Sequence, residues 1–427
     1  MAQALACGFL SRLDRSCPHQ HPQAKACATS GATFFLSRAN VAIIVISVEA
    51  PNAPCGDCRV GTSRINFTIM NIRQATASYE KWVASCIPLD RAALSFKHRQ
   101  MSLSLFPFFR ATFYRWFQIW REFSEGAAVA PPLLAVGDLH IENFGTWRDI
   151  EGRLIWGIND FDEVYSMPYT IDLVRLATSA HIATAEQHLT IRPRHASDAI
   201  LEGYRDALKV GGRPFVLAEK HRWLRRMALN RVRDATLFWH KMERLPKSPA
   251  RLRRDVESEL RKLLPDRSLP CMKKRRMAGL GSLGHTRVVF LGQWHGCYLA
   301  REAKQLTPSA CIWARGESAG GRTHYGKILD SAVRVPDPFV RPYEGWLLRR
   351  LAPDCSRIEL VSLPGSRNEE RLLYSMGWET ANVHFGTRRA IRAITRDLAK
   401  RPGNWLHKAA KAMHRATERD WREWKQR

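Results

Sequence analysis

Two short segments hold the residues best suited to chemistry: Gly137-Asp138-Leu139-His140-Ile141-Glu142-Asn143-Phe144-Gly145 and Asn159-Asp160-Phe161-Asp162-Glu163. Asp138 and Asn143 stand five positions apart, and Asp160 follows a short apolar run. Phosphoryl transfer can use such a set. The first carboxylate accepts a proton from a substrate hydroxyl, and the Asn with the later Asp holds the Mg²⁺ that neutralises phosphates. Asp138-x-His140 at a strand end also opens a two-metal phosphoesterase motif. That chemistry needs later Gly-Asp-x-x-Asp, Gly-Asn-His and Gly-His-x-His blocks, and the sequence contains none of them.

A third segment, Gly279-x-Gly281-Ser282-x-Gly284, has the glycine spacing that lets backbone amides approach phosphate oxygens. Val288-Val-Phe-Leu291 follows it as a strand and not as a helix, so a dinucleotide fingerprint is excluded. Arg110, Arg301, Lys304, Arg349 and Arg350 are the basic candidates for phosphate contact. Arg301 and Lys304 stand out because they close the strand after the glycine loop. His384 reads as a buried or capping histidine and not as a catalytic one.

The elements that must position these residues follow from periodicity. An amphipathic pattern starts at Met70-Asn-Ile-Arg, with Tyr79, Trp82 and Val83 at helical spacing. A helical stretch is expected from Asp90 to Glu122, with a boundary or kink at Pro107. Leu133–Val136 and Leu154–Ile158 read as strands delivering Asp138 and Asp160. Thr170 is expected to cap a helix through Thr184, with Asp172 in its first turn. Helices are expected over 194–209, 216–242 and 249–264, strands over 273–278, 287–291, 297–301 and 345–351, and helices again over 368–385, 389–400 and 404–424.

The formal charge of +27 is unusual for a chain of 427 residues, and it is not spread evenly. Between positions 219 and 276 there are 19 basic and 7 acidic residues, and from Arg388 to Arg427 there are 13 and 4. These stretches suit an anionic partner such as nucleic acid or another polyanion, with Trp223, Trp421 and Trp424 interleaved. A solvated basic face is the plainer reading, because charge alone gives association without identity. Five of the ten cysteines lie in the first 58 residues, among them the lone pair Cys55-Gly-Asp-Cys58. A zinc site would need a second pair, so reduced thiols and a cytoplasmic location are expected. The apolar run Val41–Val48 is too short for a membrane span. Residues 1–69 lack a sustained period and read as a disordered or misassigned leader, with the working protein starting near Met70.

The acidic motifs, together with Asp172-Leu-Val-Arg-Leu-Ala177, Arg301-Glu-Ala303, Arg349-Arg-Leu-Ala-Pro353 and Gly377-Trp-x-x-Ala-x-x-His384, give the chain a wider identity. Over about Met101 to Gly386 it resembles a bacterial family of unknown function. That family is placed in the protein-kinase-like superfamily, beside aminoglycoside phosphotransferases and choline kinases. The resemblance implies an α+β, two-lobed fold with Asp138 as catalytic base and Asn143 and Asp160 as Mg²⁺ ligands, Asp162 lying beside them. Gly279, Gly281, Ser282 and Gly284 would cover the ATP phosphates, with Arg301 or Lys304 in support. Two departures stand out. Asp162 occupies the place of a glycine in the kinase motif, and the glycine loop follows the catalytic loop where in kinases it precedes it. A circular permutation is therefore expected: a helical lobe over 70–270, a strand-rich nucleotide lobe over 271–352, and C-terminal helices over 353–427. The resulting expectation is an Mg²⁺- and ATP-dependent phosphotransferase acting on a hydroxyl-bearing small molecule or other acceptor. The alternative is a catalytically silent relative whose basic helices bind nucleic acid or another polyanion.

Overall fold

The computed structural model describes residues 70–229, 234–318, 320, 323–355 and 368–426. The expectations for residues 1–69, including the leader, the apolar run and the Cys55–Cys58 pair, lie outside the described residues. Every element below belongs to the unit Ser63–Arg427.

Helix α1 (Ile72–Cys86) starts where Asn71 and Gln74 satisfy each other's backbone amides in a reciprocal cap. The helical stretch expected from Asp90 to Glu122, with its boundary or kink at Pro107, is instead three helices with no break at Pro107 itself. They are α2 (Arg91–Leu103), capped by Asp90, then α3 (Leu105–Ala111) and α4 (Phe113–Phe123). The breaks fall at Ser104 and Thr112, and Pro107 sits in the first turn of α3, where its missing amide costs nothing. A short turn of helix, α5 (Glu125–Ala128), leads into β1 (Pro132–Ala135). The strand β2 (Phe144–Arg148) had no counterpart among the expected elements. It pairs antiparallel with β3 (Leu154–Ile158), while β4 (Tyr165–Pro168) pairs with β1.

Helix α6 (Thr170–Ala185) is the central element, buried along nearly its whole length. Such a helix must be apolar all round, and the polar residues it carries must find partners. Thr170 is its first residue and not its cap: the hydroxyl donates to the carbonyl of Ala127 at 2.5 Å. Helix α7 (Pro193–Val210) opens on a proline and closes at Gly211, whose φ is 82°. The single helix expected over 216–242 is broken. Phe215 and Val216 form β5 against Trp156 and Ile155, and α8 (Arg222–Leu229) and α9 (Ala235–Glu243) follow. Sheet pairing takes Val216 from the expected helix, and Asp234, whose side chain accepts the Thr236 amide, starts α9 afresh. Helix α10 (Arg254–Arg261) is shorter than the expected 249–264.

The strand-rich part is a five-stranded antiparallel sheet in the order β6-β7-β8-β10-β9. Its strands are β6 (Cys271–Arg275), β7 (Arg287–Trp294), β8 (Cys297–Gln305), β9 (Arg341–Tyr343) and β10 (Trp346–Leu351). Two short helices, α11 (Ala310–Ala314) and α12 (Tyr325–Ser331), lie between β8 and β9. One sheet face, through Val288, Phe290, Ala303 and Leu348, packs on Val256 and Leu260 of α10. The other, through Val289, Leu291, Ala300 and Leu351, meets Phe238 and Met242 of α9. On that second face the apolar residues give way to Arg287, Glu302, Lys304 and Arg349 (period two along each strand). The chain ends in α13 (Glu369–His384), α14 (Ile391–Lys400) and α15 (Trp405–Lys425), which join α4, α6 and α7 in the main core. No described helix is long and apolar enough to cross a membrane.

Candidate active site

The turn after β1 is fixed from below by α6. The carboxylate of Asp172 accepts the amides of Val136 and Gly137 at 2.7 and 2.8 Å. It also accepts from His384 Nε2 at 2.9 Å, and His384 Nδ1 meets the Tyr204 hydroxyl at 2.8 Å. Asp172 and His384 are completely buried, so His384 has the structural place expected of it, tying the end of α13 to the loop that carries Asp138. Two turns of one helix therefore set both the backbone and the side chain of that loop, because Arg175 also projects toward it.

Arg175 donates to Asp138 Oδ1 through Nε at 2.8 Å and through a terminal nitrogen. Its guanidinium has no solvent exposure and stacks 3.9 Å from the centre of the Phe109 ring, with Phe113 and Trp116 beside it. Burial raises the affinity of Asp138 for a proton, and nearby Asp160 adds to this. Arg175 opposes the effect without cancelling it. Asn143 donates from Nδ2 to the Asp138 carbonyl at 2.6 Å, which leaves its amide oxygen as an acceptor.

Asp160 and Asp162 flank the buried Phe161 at the end of β3. Lys304, almost wholly buried, binds Asp162 Oδ2 and lies 3.7 Å from Asp160 Oδ1. The Oδ1 atoms of both aspartates are buried without a hydrogen-bond partner, although the Asp160 carboxylate is otherwise half open to the cavity. Burial and the neighbouring Asp162 raise the Asp160 carboxyl above its usual range, against the pull of Lys304. Among the described residues no group of three or more His, Cys, Asp or Glu side chains has metal-holding geometry. Two orphaned carboxylate oxygens and an Asn amide nonetheless suit a hard cation that completes its shell from water and phosphate. Neighbouring Glu163 accepts from Ala310 N and Ser309 Oγ, and burial pushes its carboxyl up to about 8.

The glycine-rich loop closes over these groups from the sheet. Gly279 has φ 74°, and a Cβ there would lie 2.8 Å from the guanidinium of Arg287. Only glycine fits where that side chain passes. Ser282 Oγ accepts from Arg287 at 2.7 Å. At Gly281 a Cβ position is 3.6 Å from Asp138 Oδ2, which brings residues 143 positions apart in sequence to the same spot. A cavity of about 380 Å³ is lined by Asp138, Asn143, Asp160, Asp162, Gly279, Gly281, Ser282 and Lys304.

Two expected contributors lie elsewhere. Arg301 points to the opposite sheet face, donating to the carbonyls of Leu263 and Ala300 and stacking 4.7 Å from Phe339. Alternation along β8 makes this necessary, since positions 301 and 304 differ by an odd number. Gly284 ends the loop away from the cavity, its carbonyl accepting the Asp90 amide at 2.9 Å. Arg110 pairs with Glu142 at 2.5 Å, and Arg349 lines the cavity from β10, whereas Arg350, paired across from Arg301, stacks 4.6 Å from the same Phe339 ring. The tryptophans of the basic stretches are used internally. Arg371 stacks on Trp223, Trp421 donates to the Met101 carbonyl, and Trp424 is buried under Arg73.

Residues 89–237 match a family described as an uncharacterized protein conserved in bacteria (DUF2252). The matched span holds Asp138, Asn143, Asp160, Asp162 and Arg175. It ends before the glycine loop, well short of Gly386. No curated protein and no solved structure matches the chain.

Proposed function

We propose that this chain is an Mg²⁺- and ATP-dependent phosphotransferase of kinase-like architecture, acting on a hydroxyl-bearing acceptor. The observation that carries this reading is the meeting of the glycine loop with Asp138 and the Asp160–Asp162 pair around one cavity. The catalytic loop precedes the glycine-loop sheet in the chain, so the arrangement is read as a circular permutation of the kinase order. Asp138, with Oδ1 held by Arg175, presents Oδ2 to an acceptor hydroxyl. Its raised proton affinity suits a group that must take up a proton. Asn143, Asp160 and Asp162 would hold Mg²⁺, which neutralises charge on the phosphates when bound. The amides of residues 279–282 would orient the phosphate chain.

Calorimetry of Mg-ATP binding to the wild type and to Asp160→Ala tests the reading. Binding that requires Mg²⁺ and disappears in the variant is expected. Absence of binding in the wild type would overturn it. Steep salt dependence of polyanion binding without ATP turnover would then favour a polyanion-binding protein. Trp424 is buried, and Trp223 and Trp421 each carry a basic side chain over the ring, which leaves less ring face for base stacking and argues against that alternative.

A further inference from the structure

Glu302, on the middle strand of the five-stranded sheet, is completely buried and is clasped by three arginines. Arg276 donates to it at 2.7 Å, Arg287 at 3.3 Å, and Arg349 through Nε and a terminal nitrogen at 2.8 and 2.7 Å. The three come from different places: the start of the glycine loop, β7, and the β10 position directly opposite Glu302. Burial alone would raise the Glu302 carboxyl, but Arg349, Arg276 and Arg287 hold it well below its ordinary range. Guanidinium groups do not lose their proton in proteins, so one carboxylate faces three fixed positive charges. Arg287 is also nine-tenths buried or more, and its Nε has no hydrogen-bond partner. Arg287 is buried while Arg276 and Arg349 keep part of their side chains open, so the surplus positive charge faces the cavity, where an anion can answer it.

Lys304 is in the opposite situation, since two carboxylates, Asp160 and Asp162, face its single ammonium. Three guanidiniums thus share the one carboxylate they are bonded to, whereas Lys304 faces two carboxylates alone. All three arginines line the cavity, and Arg287 reaches the glycine loop through Ser282. Arg349 and Arg287 are also close enough to Asp160 to lower its proton affinity.

We infer that Arg276, Arg287 and Arg349, gathered around Glu302, form the subsite that grips the phosphate chain of the nucleotide, while Lys304 serves as counterion to the metal-binding carboxylates. This rests on the nucleotide reading above, but of the five basic candidates in the sequence it selects Arg349 alone, and it adds Arg276 and Arg287, which no motif singles out. Guanidinium forks suit phosphate oxygens better than an ammonium does, because they pair with two oxygens in one plane.

Inorganic tripolyphosphate is the probe, because it carries the phosphate chain without base or sugar. Its binding to the full chain, measured by calorimetry at two salt concentrations, is compared for wild type, Arg276→Ala, Arg349→Ala and Arg396→Ala. Arg396 is exposed on α14, outside the cavity, and controls for general attraction to a basic protein. The expected result is binding about ten-fold weaker or more for each triad variant, with essentially wild-type affinity for Arg396→Ala. Arg276 lies at the rim with its side chain 22% exposed, so Arg276→Gln carries the test if Arg349→Ala does not fold, as judged by thermal melting. Equal losses in Arg276→Ala and Arg396→Ala, or none in either, would overturn the subsite. The two readings fail differently. Mg-ATP binding that needs Asp160 but ignores the triad sinks the subsite alone. Tripolyphosphate binding that needs the triad, with Mg-ATP bound no more tightly, supports the subsite and sinks the nucleotide reading.

Discussion

Asp138 reaches the cavity with one oxygen already committed. Arg175 takes Oδ1, and the aromatic faces of Phe109, Phe113 and Trp116 leave that guanidinium no other place to go. Removing it in Arg175→Met strands a buried carboxylate, which should cost about 3–5 kcal/mol at neutral pH. Without Arg175 the folded-state pKa of Asp138 rises further above its unfolded value. The penalty is therefore full above the new folded value and fades as pH falls toward the unfolded one near 3.8. Urea unfolding at pH 7 and pH 4.5 should give a smaller difference at the lower pH, and adding Asp138→Asn should recover stability at pH 7. An identical difference at both pH values would mean that lost packing, and not charge, explains the effect. Asp138, Asn143 and Asp160 are legible in sequence because their spacing is local. Lys304 could have been separated from Arg301 by strand parity alone. Arg175 and the arginines around Glu302 could not be assigned, because their partners depend on how α6 lies under a loop and on the register of three strands.

At the scale of elements, α7 and α13 cross with their backbones in contact. A Cβ on Gly203 would lie 1.9 Å from the carbonyl oxygen of Tyr374, and one on Gly377 would lie 2.0 Å from that of Ile200. Neither backbone oxygen can rotate away as a side chain would, so the helices themselves must separate. His384 closes α13, so this separation also loosens its bond to Asp172 and hence the Asp138 loop. Gly377→Ala should destabilise the protein by at least the roughly 1–3 kcal/mol typical of overpacking. Gly126→Ala, where a Cβ meets nothing within 4 Å, should change thermal stability little. Equal melting temperatures for the two variants would refute the close-crossing argument. Long periodic helices such as α7, α13 and α15 were readable from the apolar pattern, because packing one face on the core is all they require. The 216–242 stretch departs from one helix at both ends of α8: Val216 joins the open edge of β3, a demand that no local pattern records, and Asp234 caps a new helix through the Thr236 amide.

Across the molecule, stability and charge respond differently to pH. Lys and Arg, which give the +27, do not titrate between pH 6.5 and 8, so self-repulsion changes little there. Buried carboxyls do change. Burial pushes Glu379 up to about 7 and Glu163 up to about 8, both from an ordinary value of 4.5. The folded state thus holds protons that the unfolded state has lost, and stability falls as pH rises from 4.5 through these values. Buried histidines act in the opposite sense. His285 is lowered to about 3 and His181 to about 4, from 6.5, so they cost stability only as pH drops below 6.5. Above 6.5 the histidines are silent and the carboxyls dominate. The melting temperature should therefore decline between pH 6.5 and 8.5, measured with a chelator present and ionic strength fixed. Glu379 holds Ile158 at the end of β3 and Asn382 on α13, so Glu379→Gln shifts absolute stability as well. The slope is the readout for that reason: it should flatten in Glu379→Gln and in Glu163→Gln, and most in the double variant. A wild-type slope retained in all three would place the alkaline loss outside these carboxyls, on groups other than those beneath the Asp160 loop.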